Sequence, residues 1–175
     1  NEQEVRNGGA GRLEPPVARL IEPIQAWRTW TLVGSRDGTD VRLAPIAGDG
    51  KPWPPRRPAA ASCTRHRSHV GPELHCTCGF HAVSSPDALR RTRDPAVLGT
   101  VGLWGRVVEH EHGFRASFAY PQRLRLVCYL CFSLWGRRAP GDCEVVVRHR
   151  GGRMVPLCEP HLELSRRYGY RVPRV

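Results

Sequence analysis

Sulfur and imidazole groups fall into two clusters, and their spacing is that of metal ligands. Near the C-terminus, Cys128-Tyr-Leu-Cys131 is followed, after a hairpin-like stretch, by Cys158-Glu-Pro-His161. Three thiolates and one imidazole form a soft-to-borderline donor set that suits zinc, and four protein donors close a tetrahedron with no position left for water or substrate. That pattern belongs to a structural zinc ion rather than a catalytic one. Upstream, Cys63, His66, His69, Cys76 and Cys78 crowd into one short segment. Cys63, His69, Cys76 and Cys78 are the preferred quartet, because His69 lies far enough from Cys63 to close the loop from the opposite side; His66 is the alternative fourth ligand. Gly79 lets the backbone turn around the metal. His75 and His81 are expected to point away or to support the loop. Cys143, where a strand enters the C-terminal hairpin, is expected to be a packed thiol, with a place among the ligands as the alternative. Two zinc ions per chain are the expected cofactors.

Short elements must position these ligands. From Ala26, Trp27, Thr29, Thr31 and Val33 alternate with Arg28, Trp30 and Leu32 until Gly34-Ser35-Arg36-Asp37-Gly38. This reads as a strand and a turn, with Asp40 to Leu43 returning as the partner strand. Lys51 to Pro58 is proline-rich and reads as a stiff extended connector, with Trp53 either packing or standing out as an anchor. Ser85-Pro86-Asp87 has the chemistry of a helix start, predicting a short helix from Pro86 to Arg93. Val97 to Val108 is a strand in which Gly99, Gly102 and Gly105 allow bulges. Glu109 to Gly113 is a polar turn, and Phe114 to Tyr120 returns, with Pro121 expected to end it. Joining the two hairpins gives a four-stranded sheet with the first cysteine cluster inserted between its halves. Further on, Glu144–His149 and Arg153–Leu157 flank Gly151-Gly152 as a tight hairpin, and Cys158 caps a helix that runs toward Gly169.

Knuckle, hairpin, then a helix whose first turn supplies the last two ligands is the order found in treble-clef zinc fingers. Residues 128–169 resemble that group, with Cys128, Cys131, Cys158 and His161 at its ligand positions. The group includes ribosomal proteins, transcription factors, interaction modules and HNH-type nucleases, so the resemblance implies a fold and no single activity. Cys76-Thr-Cys78-Gly, Leu103-Trp-Gly-Arg-Val-Val-Glu-His110, Arg115-Ala116 and Ala119-Tyr-Pro121 together resemble a combination in uncharacterised bacterial zinc-binding proteins, which implies a shared fold. The expected class is therefore α+β and zinc-stapled: a small antiparallel β-sheet or open barrel with an inserted zinc loop, followed by a treble-clef-like finger. The expected divisions are a flexible tail at 1–24, a β module at 25–121 carrying the zinc loop at 63–81, and the finger at 122–175.

Composition then narrows the function. With 18 Gly and 16 Pro in 175 residues, turns are many and continuous elements few, which suits small metal-stapled modules. Seven cysteines, with no signal-like stretch and no apolar run of roughly 18 residues, point to a reduced, cytoplasmic protein outside the membrane. The net charge of +11 attracts polyanions. The basic residues are all arginine except Lys51, a bias that a GC-rich genome also produces, so clustering matters more than the total. Arg148, Arg150, Arg153, Arg166 and Arg167, joined by Arg171 and Arg174, are the candidate nucleic-acid contacts, with Tyr168 and Tyr170 able to stack or pack. The competing class is a protein-interaction adaptor anchored on Trp30, Trp53, Trp104 or Trp135. An enzyme is the weaker expectation: the P-loop, zinc-protease and serine-elbow motifs are absent, no small-molecule substrate suggests itself, and Glu109 to His112 reads as a solvated tip. An HNH-type nuclease built on His149 would lack a second histidine on the helix once His161 ligates metal.

Overall fold

The structure, a computed structural model, describes residues 22–34, 40–47, 50–66, 69–93, 95–133, 143, 145–148 and 153–167. The expected tail at 1–24 falls outside these residues up to position 21, as do positions 35–38 of the first expected turn and 151–152 of the second. Eight strands are described: β1 (Ile24–Gly34), β2 (Val41–Ala44), β3 (Ala59–Ala60), β4 (Phe80–Val83), β5 (Val97–His110), β6 (Gly113–Leu126), β7 (Val145–Arg148) and β8 (Arg153–Leu157). A 3-10 helix at Pro86–Arg91 and two α-helices, α1 (Tyr129–Ser133) and α2 (Glu159–Arg167), complete the set. No helix among the described residues is long and apolar enough to cross a membrane.

All pairings are antiparallel. β1 is the hub: its first half pairs with β5, Ile24 opposite Leu103 through Trp30 opposite Val97, and its second half pairs with β2. β5 and β6 form the long hairpin whose tip is Glu111-His112. β4 lies along β6 and returns to β1 through the single pair Trp27–Val83. The C-terminal hairpin joins the same sheet, because β8 pairs with β1 at Leu32–Met154 and Val33–Arg153.

One face of this arrangement is buried. Ala26, Trp30 and Leu32 of β1 meet Val97, Val101 and Leu103 of β5 and Ala116 and Ala119 of β6, with Trp53 and Met154 closing over them. Trp30 and Trp53 pack edge to face at 5.5 Å, and Trp53 does the same with Phe80 at 5.0 Å. These two tryptophans are 0 % and 5 % exposed, so they are core and not adaptor anchors. Trp135 lies outside the described residues.

Two bulges let the long hairpin wrap around that core. Trp104 pairs with Phe118 but Val107 with Ala116, so β5 carries an extra residue there, and Gly105 takes φ +82°, a left-handed conformation that glycine adopts without cost. Gly99 pairs with Leu124 but Val101 with Pro121, which places the second bulge in β6. Pro121 therefore does not end the strand. Its missing N–H is tolerated beside the bulge, and β6 continues to Leu126. The 3-10 helix is shorter than expected: Ser85 Oγ accepts from the Asp87 amide, Pro86 opens the helix, and Thr92 is already extended before Arg93 and Pro95.

Candidate metal centres

Each end of the first metal loop is tied to β6. Ala61, two residues before Cys63, donates its amide to Ser117 O at 2.7 Å, just past the β3–β6 pairs. Cys78 is followed by Gly79 at φ +109°, and β4 then pairs Phe80 with Ala116. A side chain at Gly79 would press on Pro72 Cβ at 3.0 Å and on the Ala116 carbonyl at 3.3 Å, so the close turn requires glycine. Between these anchors, Cys63, His69, Cys76 and Cys78 converge, with all four ligand atoms within 4.8 Å of one another. Cys63 Sγ and Cys76 Sγ are 3.7 Å apart, and His69 Nε2 is 3.3 Å from Cys78 Sγ. The sulfurs are far beyond the roughly 2.05 Å of a disulfide, and none of the seven cysteines is disulfide-bonded.

The loop brings His69 rather than His66 to the sulfurs. The His66 amide donates to Cys63 Sγ at 3.2 Å, closing a tight turn around the sulfur. The His66 ring lies 5.7 Å from the His69 ring, and His69 supplies the imidazole of the quartet. His81 supports the loop instead, its Nε2 lying 2.7 Å from Thr77 O, and burial lowers its pKa. His75 is exposed.

Arg115 is a supporting residue that spacing could not have revealed. From β6 its Nη1 donates to the carbonyls of Glu73, Cys76 and Cys78, the first and last at 3.3 Å. Arg106, from the other arm of the hairpin, holds Glu73 at 2.6 Å. Positive charge thus caps the loop from outside the ligand set. Among the thiols, a hydrogen bond from the Cys78 backbone, ahead of contacts with Cys78, His69 and Cys63, pulls Cys76 down to about 7, while burial pushes Cys78 up.

The second quartet is built by two helix starts. Phe132 N donates to Cys128 O and Leu162 N to Cys158 O, each at 2.9 Å, so both cysteines cap their helices. Cys131 and His161 follow three residues later, which brings each ligand pair onto one side of its helix. His161 Nδ1 lies 3.2 Å from Cys128 Sγ, 3.4 Å from Cys131 Sγ and 3.2 Å from Cys158 Sγ, and the Cys131 and Cys158 sulfurs are 3.6 Å apart. Leu157 and Leu162 pack around the ligands, and burial pushes the Cys158 thiol up to about 11. Cys143 is a buried member of the same apolar cluster and stands outside the quartet. A backbone path links this site to the main core: Ala96 N donates to Trp30 O, and Val127 N, just before Cys128, donates to Ala96 O.

The remaining candidates are more dispersed. Arg166 and Arg167 are exposed on α2, where Arg167 Nη2 bonds Glu163 at 2.8 Å. Arg148 lies on β7 and Arg153 on β8, while His149, Arg150 and positions 168–175, with Tyr168, Tyr170, Arg171 and Arg174, lie outside the described residues. Glu109 to His112 is an exposed hairpin tip, and the two quartets are the metal-capable groups found among the described residues. No protein-family model, curated protein or solved structure matches the chain. The chemistry of these two sites therefore carries the functional argument.

Proposed function

We propose that the chain is a zinc-binding, non-enzymatic protein in which two zinc ions fix loops on an antiparallel sheet and arginine-rich surfaces contact nucleic acid. The zinc part rests on the edge lengths of the quartets. Bonds of about 2.3 Å to sulfur and about 2.0–2.1 Å to nitrogen at tetrahedral angles give sulfur–sulfur edges of about 3.8 Å and sulfur–nitrogen edges of about 3.6 Å. The Sγ–Sγ separations of 3.6 and 3.7 Å and sulfur–nitrogen separations of 3.2–3.4 Å fall within a few tenths of an ångström of these. Four protein donors at each site favour a structural ion over a reagent. Thiolate ligands fit a reducing compartment such as the cytoplasm. The sequence of knuckle, β7–β8 hairpin and α2 supports a treble-clef-like reading of the C-terminal part.

Support for nucleic acid comes from the charge of +11 and from the exposed Arg166 and Arg167 on the helix whose first turn carries His161. A metal-fixed helix holds such side chains in register with phosphates. The adaptor reading is weaker because Trp30 and Trp53 are core residues. The nuclease reading is weaker because His161 belongs to the metal quartet. Elemental analysis of protein purified without added metal should give two zinc ions per chain; one or none removes a site. In fluorescence anisotropy across a salt series, replacing Arg150, Arg153 and Arg167 by Ala should lower the slope of log K against log salt by about 2–3 in magnitude. An unchanged slope would remove the C-terminal arginines from the interface.

A further inference from the structure

The outward face of the long hairpin carries aromatic rings that neither the core nor the metal loops use. Trp104 and Phe118 are register partners with stacked rings, 6.0 Å between centroids and 19° between planes. Tyr120 follows two residues along β6, opposite Gly102. Phe118 and Tyr120 remain 39 % and 40 % exposed. Over Gly102 lies the side chain of Gln122, its Nε2 2.9 Å from where a Cβ would sit. Arg106 and Arg123 are exposed at the two ends of this strip. Along its side runs β3, where Ala60 pairs with Phe118, preceded by the exposed Arg56 and Arg57.

Single exposed apolar side chains are ordinary, but a stacked pair with a third ring on one strip is a surface suited to planar ligands. The charge around it selects among partners. Arg106 is paired with Glu73, but Arg56, Arg57 and Arg123 are exposed on segments next to the rings, and the chain as a whole carries +11. An apolar protein surface would have to desolvate those cations, whereas a polyanion bearing flat bases satisfies rings and guanidinium groups together. In a duplex the bases already stack on one another, so free base faces belong to single strands. Strand geometry, about 3.4 Å per residue, sets Phe118 and Tyr120 about 7 Å apart, which allows each ring its own base.

We infer that Trp104, Phe118 and Tyr120 form a stacking platform for single-stranded nucleic acid, with Arg123, Arg56 and Arg57 following the phosphates. This rests on the nucleic-acid reading above only in taking a polyanion as the partner, since the surface is separate from the C-terminal arginines. The test uses the full, zinc-loaded chain with a labelled thymidine oligonucleotide and a duplex of equal length. The double variant Phe118→Leu with Tyr120→Leu keeps apolar side chains at both positions, and its zinc content and melting temperature are checked first. Its affinity for the single strand should fall about 10-fold or more while duplex affinity stays as it was. Tyr120→Phe, which retains the ring, should bind like the parent chain. Unchanged single-strand affinity in the double variant overturns the platform and leaves the C-terminal arginine reading standing. Single-strand binding lost in the double variant but unaffected by the C-terminal arginine substitutions supports the platform and removes that reading. No binding of either probe near about 50 mM salt overturns both. Self-association by sedimentation that disappears in the double variant, with nucleic-acid binding unaffected, would make the strip a contact between copies and overturn the platform.

Discussion

Replacing Cys131 and Cys143 separately by serine tests which cysteines make up the second metal centre. Both are cysteines of one small apolar neighbourhood, but the structure gives them different tasks. Cys131 Sγ makes two edges of the quartet, 3.6 Å to Cys158 and 3.4 Å to His161. Cys143 is 9 % exposed and packs beside the quartet. Structural zinc is worth about 10–16 kcal/mol of apparent binding free energy, and a whole domain has about 5–15 kcal/mol of net stability. Losing even half of the zinc contribution is therefore comparable to the entire stability of the C-terminal part. Cys143→Ser introduces a hydroxyl into an apolar setting at a cost of about 1–3 kcal/mol. For a chain of this size that lowers the melting temperature by about 2–12 °C. Melting curves recorded together with zinc content should show Cys131→Ser losing one zinc and the cooperative C-terminal transition, and Cys143→Ser keeping two zinc ions. Equal, severe losses would put Cys143 in the coordination shell. A Cys131→Ser chain that melts normally with two zinc ions would refute the second centre.

Other substitutions separate neighbouring roles. His69→Ala should reduce the stoichiometry to one zinc and His66→Ala should leave two, because only His69 joins the quartet; elemental analysis decides between them. Arg115→Met removes a cation bonded to three carbonyls of the first metal loop, at about 1.5–3 kcal/mol per bond, and should speed release of one of two zinc ions to a chelator. Arg28→Met should be neutral or stabilising in a thermal melt: its Nε is buried without a partner, and burial pushes its pKa down to about 10, so the protonated form disfavours folding at neutral pH. A melting temperature well below the parent's would mean that the Arg28 bond to the His81 carbonyl and its contact with Trp53, 5.3 Å from the ring centroid, outweigh the desolvation. Gly105→Ala forces a positive φ and brings a methyl group within 2.8 Å of the Phe118 ring, so a loss of about 1–3 kcal/mol should appear in a denaturant titration.

The second quartet was legible because its information is local. Cysteine as helix cap and a ligand three residues later require only one turn of backbone, so Cys128, Cys131, Cys158 and His161 could be read as a set from spacing alone. The first quartet was less so, since the sequence offers both His66 and His69, and only the folded loop brings one ring to the sulfurs: His69 Nε2 lies 3.3 Å from Cys78 Sγ. Arg115 left no local sign at all. It sits 37 to 42 residues from the carbonyls it holds and reaches them because β6 runs beside β4. Alternation in β1 marks the strand but not its buried face. Both faces carry a tryptophan, Trp27 on one and Trp30 on the other, so period two defines the faces without saying which is inside. What decides is the partner strand: β5 offers Val97, Val101 and Leu103 to the face with Ala26 and Trp30, and accepting them buries part of Arg28 as well.

The same sheet suits a chain with two metal-capable quartets. Alanines at 26, 59, 82, 96, 116 and 119 keep the strands close around Trp30, Trp53, Leu103 and Met154, and a chain of this size limits the apolar area that folding can remove from water. Both sets of ligands are tied to the sheet at each end: the first between β3 and β4 on β6, the second by Val127 just before Cys128 and by β8, paired with β1, just before Cys158. Zinc at either place would close a loop whose ends the sheet already fixes, so ligand convergence costs little additional backbone order. The long hairpin touches both sites, through Arg106 and Arg115 at the first and Leu126 at the second. Zinc held at both quartets would therefore brace the hairpin that carries Trp104, Phe118 and Tyr120, and its removal by a chelator should loosen that hairpin before the core unfolds.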